Sequence, residues 1–138
     1  MQPIYGMKNI LSVLFLLILS VLLVSCSKSA TSLAPFEPEI VNTQDAFQLQ
    51  ATGVNNVTAT LVYSWKNSGT RATINHSTTT TAGSALVTFK DSLGTTVYSK
   101  ALFPSLNEAT AAGVAGTWSV TLTLTNYSGT LNFRAEKL

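Results

Sequence analysis

Cys26 and His76 are the only cysteine and the only histidine of the chain, and six carboxylates accompany them. A single thiol cannot close an intrachain disulfide, so the fold must stand on its core. His76 falls in phase with Ala72 and Ile74 near the end of an alternating run. That places it on an inward strand face, as a hydrogen-bonded side chain. No Cys–His pair and no His-Glu-x-x-His spacing is present, so no zinc centre is expected. Glycoside hydrolysis needs two carboxyls facing one bond. Only Asp91 and Glu108 lie well inside the patterned region. Asp91 opens the turn Asp91-Ser92-Leu93-Gly94, and Glu108 sits in an irregular stretch read as an exposed loop. A Gly-x-Ser-x-Gly nucleophile elbow is missing. These residues assemble no catalytic constellation, and neither a metal nor a cofactor is implied.

Binding chemistry has a better address. Phe103 to Gly116 is longer than the usual connection of about 4–6 residues, and long loops on a rigid scaffold are where contacts concentrate. Phe103, Asn107 and Glu108 are the candidate ligand contacts. Asn107–Ala112 reads as one helical turn, with Leu106 and Val114 placed to cap the core. Ser77–Gly83 is a second, polar loop. Trp65 and Trp118 run in phase with the aliphatic residues around them, which makes them core residues rather than sugar-stacking platforms. Tyr98 and Tyr127, out of phase or in a turn, are candidates for exposed contacts.

What holds these residues begins at the N-terminus. Lys8 precedes the run Ile10 to Val24, apolar except for Ser12 and Ser20. This is the charged and apolar pattern of a secretory signal, and it is short for a membrane-spanning helix of roughly 20 residues. The run closes on Leu23-Val24-Ser25-Cys26, which resembles the lipobox of bacterial lipoproteins. The resemblance implies that a diacylglycerol is attached to the Cys26 thiol and that residues 1–25 are removed. Two or more acyl chains would anchor the protein stably. Ser27 follows the cysteine in place of the acid that retains such lipoproteins at the inner membrane, so the resemblance points to the outer membrane.

Residues 26–45 read as a tether, rich in Ser and Thr and carrying Pro35 and Pro38, with Phe36–Val41 docking as an irregular edge segment. Removing Lys8 lowers the formal charge from +2 to +1, and the remaining Lys and Arg are scattered, which excludes a nucleic-acid footprint. About 110 residues make one domain with one core.

From Ala46 to Leu138 the period is two. Phe47, Leu49 and Ala51 share a face; Gly53 breaks the run; Val57, Ala59, Leu61, Tyr63 and Trp65 share the next. Ala72–His76, Ala85–Phe89 and Val97–Ala101 follow, the last two as a hairpin. Trp118, Val120, Leu122 and Leu124 form a strand, and Asn126-Tyr127-Ser128-Gly129 turns the chain back into Leu131, Phe133 and Ala135. About seven short strands with one apolar face each predict an all-β, two-sheet antiparallel sandwich, immunoglobulin-like or jelly-roll in topology.

The segment Gly116-Thr117-Trp118-Ser119-Val120-Thr121-Leu122, followed by Ser128-Gly129-Thr130-Leu131, is similar to the end of small jelly-roll accessory domains of the pre-peptidase C-terminal and proprotein-convertase P-domain type. Asp91, Gly94 and Val97 also sit where such domains turn a hairpin. The resemblance implies a β-sandwich with a non-catalytic role, and the calcium-binding acids of some such domains are unmatched. The resulting expectation is a lipid-anchored module of the cell envelope, binding a glycan, a peptide or an envelope protein. Two alternatives stand beside it: an envelope enzyme with a site around His76 and Phe103–Gly116, and a pilus or adhesin component that assembles by strand addition.

Overall fold

The computed structural model describes residues 29–138. The signal segment 1–25 and the lipobox with Cys26 lie outside these residues. The described chain is all-β, with seven strands in one antiparallel sheet: β1 (Glu39–Thr43), β2 (Ala46–Asn67), β3 (Ala72–His76), β4 (Thr79–Lys90), β5 (Thr96–Ala101), β6 (Leu106–Ala109) and β7 (Gly116–Lys137).

Two strands organise it. β2 and β7 are each 22 residues long and pair with one another from end to end, from Ala46↔Glu136 to Asn67↔Gly116. An antiparallel pair of this length cannot bury one face while straight. It folds in half instead, at register shifts between Ala51 and Ala59. Positive φ angles at Gly53 (63°), Asn56 (48°), Asn126 (45°) and Gly129 (144°) mark the fold line. Gly129 has no substitute there, because a Cβ would overlap the Thr79 carbonyl oxygen. The bend brings the two ends of β2 together. Asp45 N–H donates to the Lys66 carbonyl at 2.8 Å, and the rings of Phe47 and Tyr63 lie 5.5 Å apart.

The sandwich is therefore one sheet folded over itself. The first layer holds β1, the start of β2, the end of β7, β3 and β6; the second holds the rest of β2, the start of β7, β4 and β5. Between them lie Trp65, Trp118, Phe89, Phe47, Phe133 and Tyr127 with their aliphatic neighbours, all fully buried. Trp65 meets Trp118 edge-on at 5.8 Å and Phe89 at 6.2 Å; Phe89 meets Tyr98 at 6.0 Å. Both tryptophans are core residues, as their phase implies.

The bends revise four expectations. Gly53 and the stretch Asn126–Gly129 do not end strands; they kink them, and the kink shifts the buried phase of β7 from Trp118, Val120, Leu122 and Leu124 to Leu131, Phe133 and Ala135. Tyr127 sits at the kink, buried, with its hydroxyl donating to the Thr79 carbonyl at 3.1 Å. Tyr98 is buried as well, because an irregularity between Phe89 and Lys90 turns both Val97 and Tyr98 inward. Most of Ser77–Gly83 is not a loop: β4 starts at Thr79, and Thr79 and Thr80 pair with Thr130 and Gly129 beyond the bend.

Ahead of β2, Glu39–Thr43 pairs with its first residues as an edge strand, and Ala30 forms a parallel bridge to Val57.

Candidate functional site

The stretch Phe103–Gly116 crosses from the second layer to the first. It contains no helical turn. Leu106–Ala109 pairs with β3, in register His76↔Leu106 and Ile74↔Glu108. Pairing with a half-satisfied neighbour strand outweighs the helix preference of Asn-Glu-Ala-Thr-Ala-Ala, since short helices are marginal on their own. Leu106 is half-buried, but Val114 is 44 % exposed and caps nothing. Its amide instead donates to Asp91 Oδ2 at 3.0 Å. The other Asp91 oxygen accepts the amides of Leu93 (3.0 Å) and Thr95 (2.8 Å). Burial raises the Asp91 pKa, but the Thr95, Val114, Leu93 and Gly94 amides together outweigh it and hold the carboxyl below its ordinary range. Asp91 is thus a turn residue with its lone pairs committed.

The three candidate contacts part company. Alternation along β6 sends Asn107 to the outer face and Glu108 to the inner one. Phe103 stands on the crossing itself, 62 % exposed.

On the outer face, Asn107 joins residues that the sequence did not single out. The register runs Gln48↔Arg134↔Asn75↔Asn107 across four strands. At about 4.8 Å per strand this row is roughly 14 Å long. Thr73 and Glu136 lie opposite one another in the next row. Thr73, Asn75, Asn107, Arg134 and Glu136 line a shallow depression of about 220 Å³. Among the described residues, the ion pairs are Lys100–Glu108 and Lys137–Asp45, so Arg134 and Glu136 engage no opposite charge within 4.0 Å. The signal for this patch was present in the sequence as the outward phase of β3 and β7, but outward polar residues look alike until the register sets them side by side.

A larger hollow of about 320 Å³, lined by Gln44, Lys66, Asn67, Ser68, Gly116 and Thr117, lies where the bend brings the two ends of β2 together. Two of its polar side chains, Ser68 and Asn67, are already in use. Ser68 donates through its amide and its hydroxyl to Asp45, at 2.7 and 2.9 Å, and Asn67 Oδ1 accepts the Gly69 amide at 2.9 Å. The Ser68 amide, against some burial, leads in holding the Asp45 carboxyl below its usual range.

On the inner side, Glu108 faces the gap between layers. Lys100 of β5 reaches across it, with Nζ 2.7 Å from Oε1 and 2.8 Å from Oε2. The lysine leads in lowering the Glu108 pKa, opposed by burial. His76, 2 % exposed, and Tyr98, 6 % exposed, lie behind this pair. The inward position of His76 is as its phase implies, but neither ring nitrogen has a hydrogen-bond partner. Burial leads in holding the imidazole below its ordinary pKa, opposed by the Leu102 carbonyl and the Glu108 charge. Burial also pushes the Tyr98 hydroxyl upward, with Glu108 adding to it. A general base must reach a substrate proton. This histidine is covered and this carboxylate is held by a lysine, so the arrangement does not present an acid–base pair to solvent. Among the described residues no group of three or more His, Cys, Asp or Glu could hold a metal ion.

The chain matches no protein-family model, no curated protein and no solved structure.

Proposed function

We propose that this chain is a lipid-anchored module of the bacterial cell envelope that binds a hydroxyl-rich ligand, a glycan, on the outer face of its first layer. The anchor rests on Leu23-Val24-Ser25-Cys26 at the end of the apolar run. The binding reading is carried by the Gln48–Arg134–Asn75–Asn107 row and the depression beside it.

Amide side chains both donate and accept, as hydroxyls do; Arg134 only donates and Glu136 only accepts. One cation and one anion leave the patch without net charge. Neither aliphatic nor aromatic side chains line it, which disfavours a lipid or an apolar peptide face. The missing aromatic platform means that recognition runs along the hydroxyl edge of the sugar rather than its apolar face.

The test is a glycan array probed with the detergent-solubilised chain, beside Asn107→Ala and Arg134→Ala variants. Binding that both substitutions abolish, with the thermal melt unchanged, supports the reading. Binding that survives both removes the site from this face, and turnover of a glycan would favour an enzyme.

Assembly by strand addition is the second reading, and one observation favours it. Residues from Ala59 to Ser64 of β2 have β7 on one side and, on the other, only the Asn42 amide, bonded to the Ser64 carbonyl at 2.9 Å. Val62 on this edge is 65 % exposed. Concentration-dependent polymers in sedimentation would support it.

A further inference from the structure

The two layers end on the same side in free edges. β5 pairs only with β4, and β6 pairs only with β3. Two contacts close the gap between them: the forked Lys100–Glu108 pair, at 2.7 and 2.8 Å, and the Ala111 amide just after β6, which donates to the Val97 carbonyl of β5 at 3.0 Å. Behind them, His76 on β3 and Tyr98 on β5 are buried with His76 Nδ1, His76 Nε2 and the Tyr98 hydroxyl unpartnered. Buried polar atoms are almost always hydrogen-bonded, so three in one seam call for an account.

We propose that this seam is an acid-sensitive latch, in which protonation of His76 releases β6 and the Leu102–Thr110 crossing from the edge of β5.

The charged and titratable groups that face His76 are Glu108 from β6 and Lys100 and Tyr98 from β5; its pairing neighbours on β6 and β7 are Leu106 and Phe133. A neutral imidazole tolerates this place. An imidazolium does not, for two reasons. It carries two N–H donors, and the Leu102 carbonyl and the Glu108 charge favour it only in part, neither completing a hydrogen bond to the ring and both outweighed by burial. It also puts a second cation beside the Lys100 ammonium, and both compete for one carboxylate. In an opened seam the same imidazolium reaches water and Glu108. The proton therefore binds the open form more tightly than the closed one.

The direction of the His76 pKa agrees. It is lowered in the closed structure, so the contribution of the closed seam is whole above about 6.5, the ordinary histidine value, and is lost as pH falls below it. Glu108 is also lowered, from 4.5; its contribution is lost only at more acid pH. The two windows are separate, and the histidine window comes first.

β6 is the element able to move. It is four residues long, whereas the strands behind it are tied along their length. Opening would expose the β6 and β5 edges and lift Leu102 and Thr110, both buried, from the rim of the core, while the β2–β7 pair stays in place.

Hydrogen exchange by mass spectrometry on the untagged, detergent-solubilised chain tests this. After correction for intrinsic rates, protection of the 102–110 amides should fall by up to tenfold per pH unit between pH 6.5 and 5, the slope of a single proton. Amides of β7 between Trp118 and Leu124 should not change over that range. His76→Gln should remove the fall; Glu108→Gln should keep it, from a lower starting protection. pH-independent protection at 102–110, or an unchanged fall in His76→Gln, overturns the latch. If His76→Gln does not fold, the proton resonances of the single histidine decide. A titration midpoint below the ordinary value, moving with the exchange of 102–110, supports the latch. A midpoint at or above it overturns it.

Discussion

Trp118→Ala should be among the most damaging single changes in this domain. The indole is fully buried, edge-on to Trp65 at 5.8 Å and 85°, and its Nε1–H donates to the Val114 carbonyl at 2.8 Å. Truncating a buried large aromatic costs about 3–5 kcal/mol from lost transfer energy and the cavity left behind. The edge-to-face pair falls within that figure, at about 0.5–1.5 kcal/mol. The broken hydrogen bond adds little, because the Val114 carbonyl keeps the Ser92 hydroxyl at 3.1 Å and is not orphaned. Against a typical stability of about 5–15 kcal/mol, a loss of this size is a large share. Trp118→Phe keeps a ring in the slot and gives up the bond, and should cost about 1–2 kcal/mol. Urea unfolding of the solubilised chain, followed by the fluorescence of the remaining Trp65, measures both. A Trp118→Ala loss under about 1 kcal/mol, with Trp65 emission still that of a buried indole, would refute the account of the folded sheet, since no layer could then be pressing on that slot.

Other outcomes follow from separate parts of the molecule. Cys26→Ser should move the protein from the membrane to the soluble fraction and abolish lipid labelling; continued membrane association would rule out a thiol-linked anchor. Gly129→Ala should destabilise the fold by about 2 kcal/mol or more, because its Cβ meets the Thr79 backbone oxygen at a φ of 144°; a near-neutral melt would show that the bend can relax. Asp91→Ala should free the Thr95 and Val114 amides and loosen both the β4–β5 connection and the crossing. The lowered Asp91 pKa means that the stabilisation is present above 3.8 and lost as pH falls through the folded value. The stability of Asp91→Asn, followed by urea unfolding, should therefore fall less steeply below pH 3.8 than that of the unaltered chain.

The sequence made the faces legible but hid the path of the chain between them. Period two marked which side of each segment is buried, and Trp65, Trp118 and Ile74 lie where it placed them. A bend inside a strand and a turn between strands leave the same trace, an apolar phase that shifts by one beside a glycine or asparagine. Asn126–Gly129 could be read either way, and only pairing with β2 on one side and β4 on the other decides it. β6 was hidden for a different reason: four residues with helix-favouring side chains become a strand because β3 offers them a free edge. The candidate contacts were half legible. Asn107 and Glu108 were noticed as neighbours in sequence. Consecutive strand residues point to opposite faces, so they belong to two different surfaces: Asn107 lies in a row with Asn75 and Arg134, and Glu108 meets Lys100 of β5.

A domain whose layers share their strands has no seam along which to fail by halves. β2 and β7 run through both layers, so the second layer cannot melt while the first keeps its hydrogen bonds intact. Partial melting would leave unpaired edges within reach of neighbouring copies. Here the route to such a state passes through loss of the whole core. The domain is either fully folded or fully lost, except at its single-paired edge strands β1, β5 and β6, which can detach without taking either long strand with them.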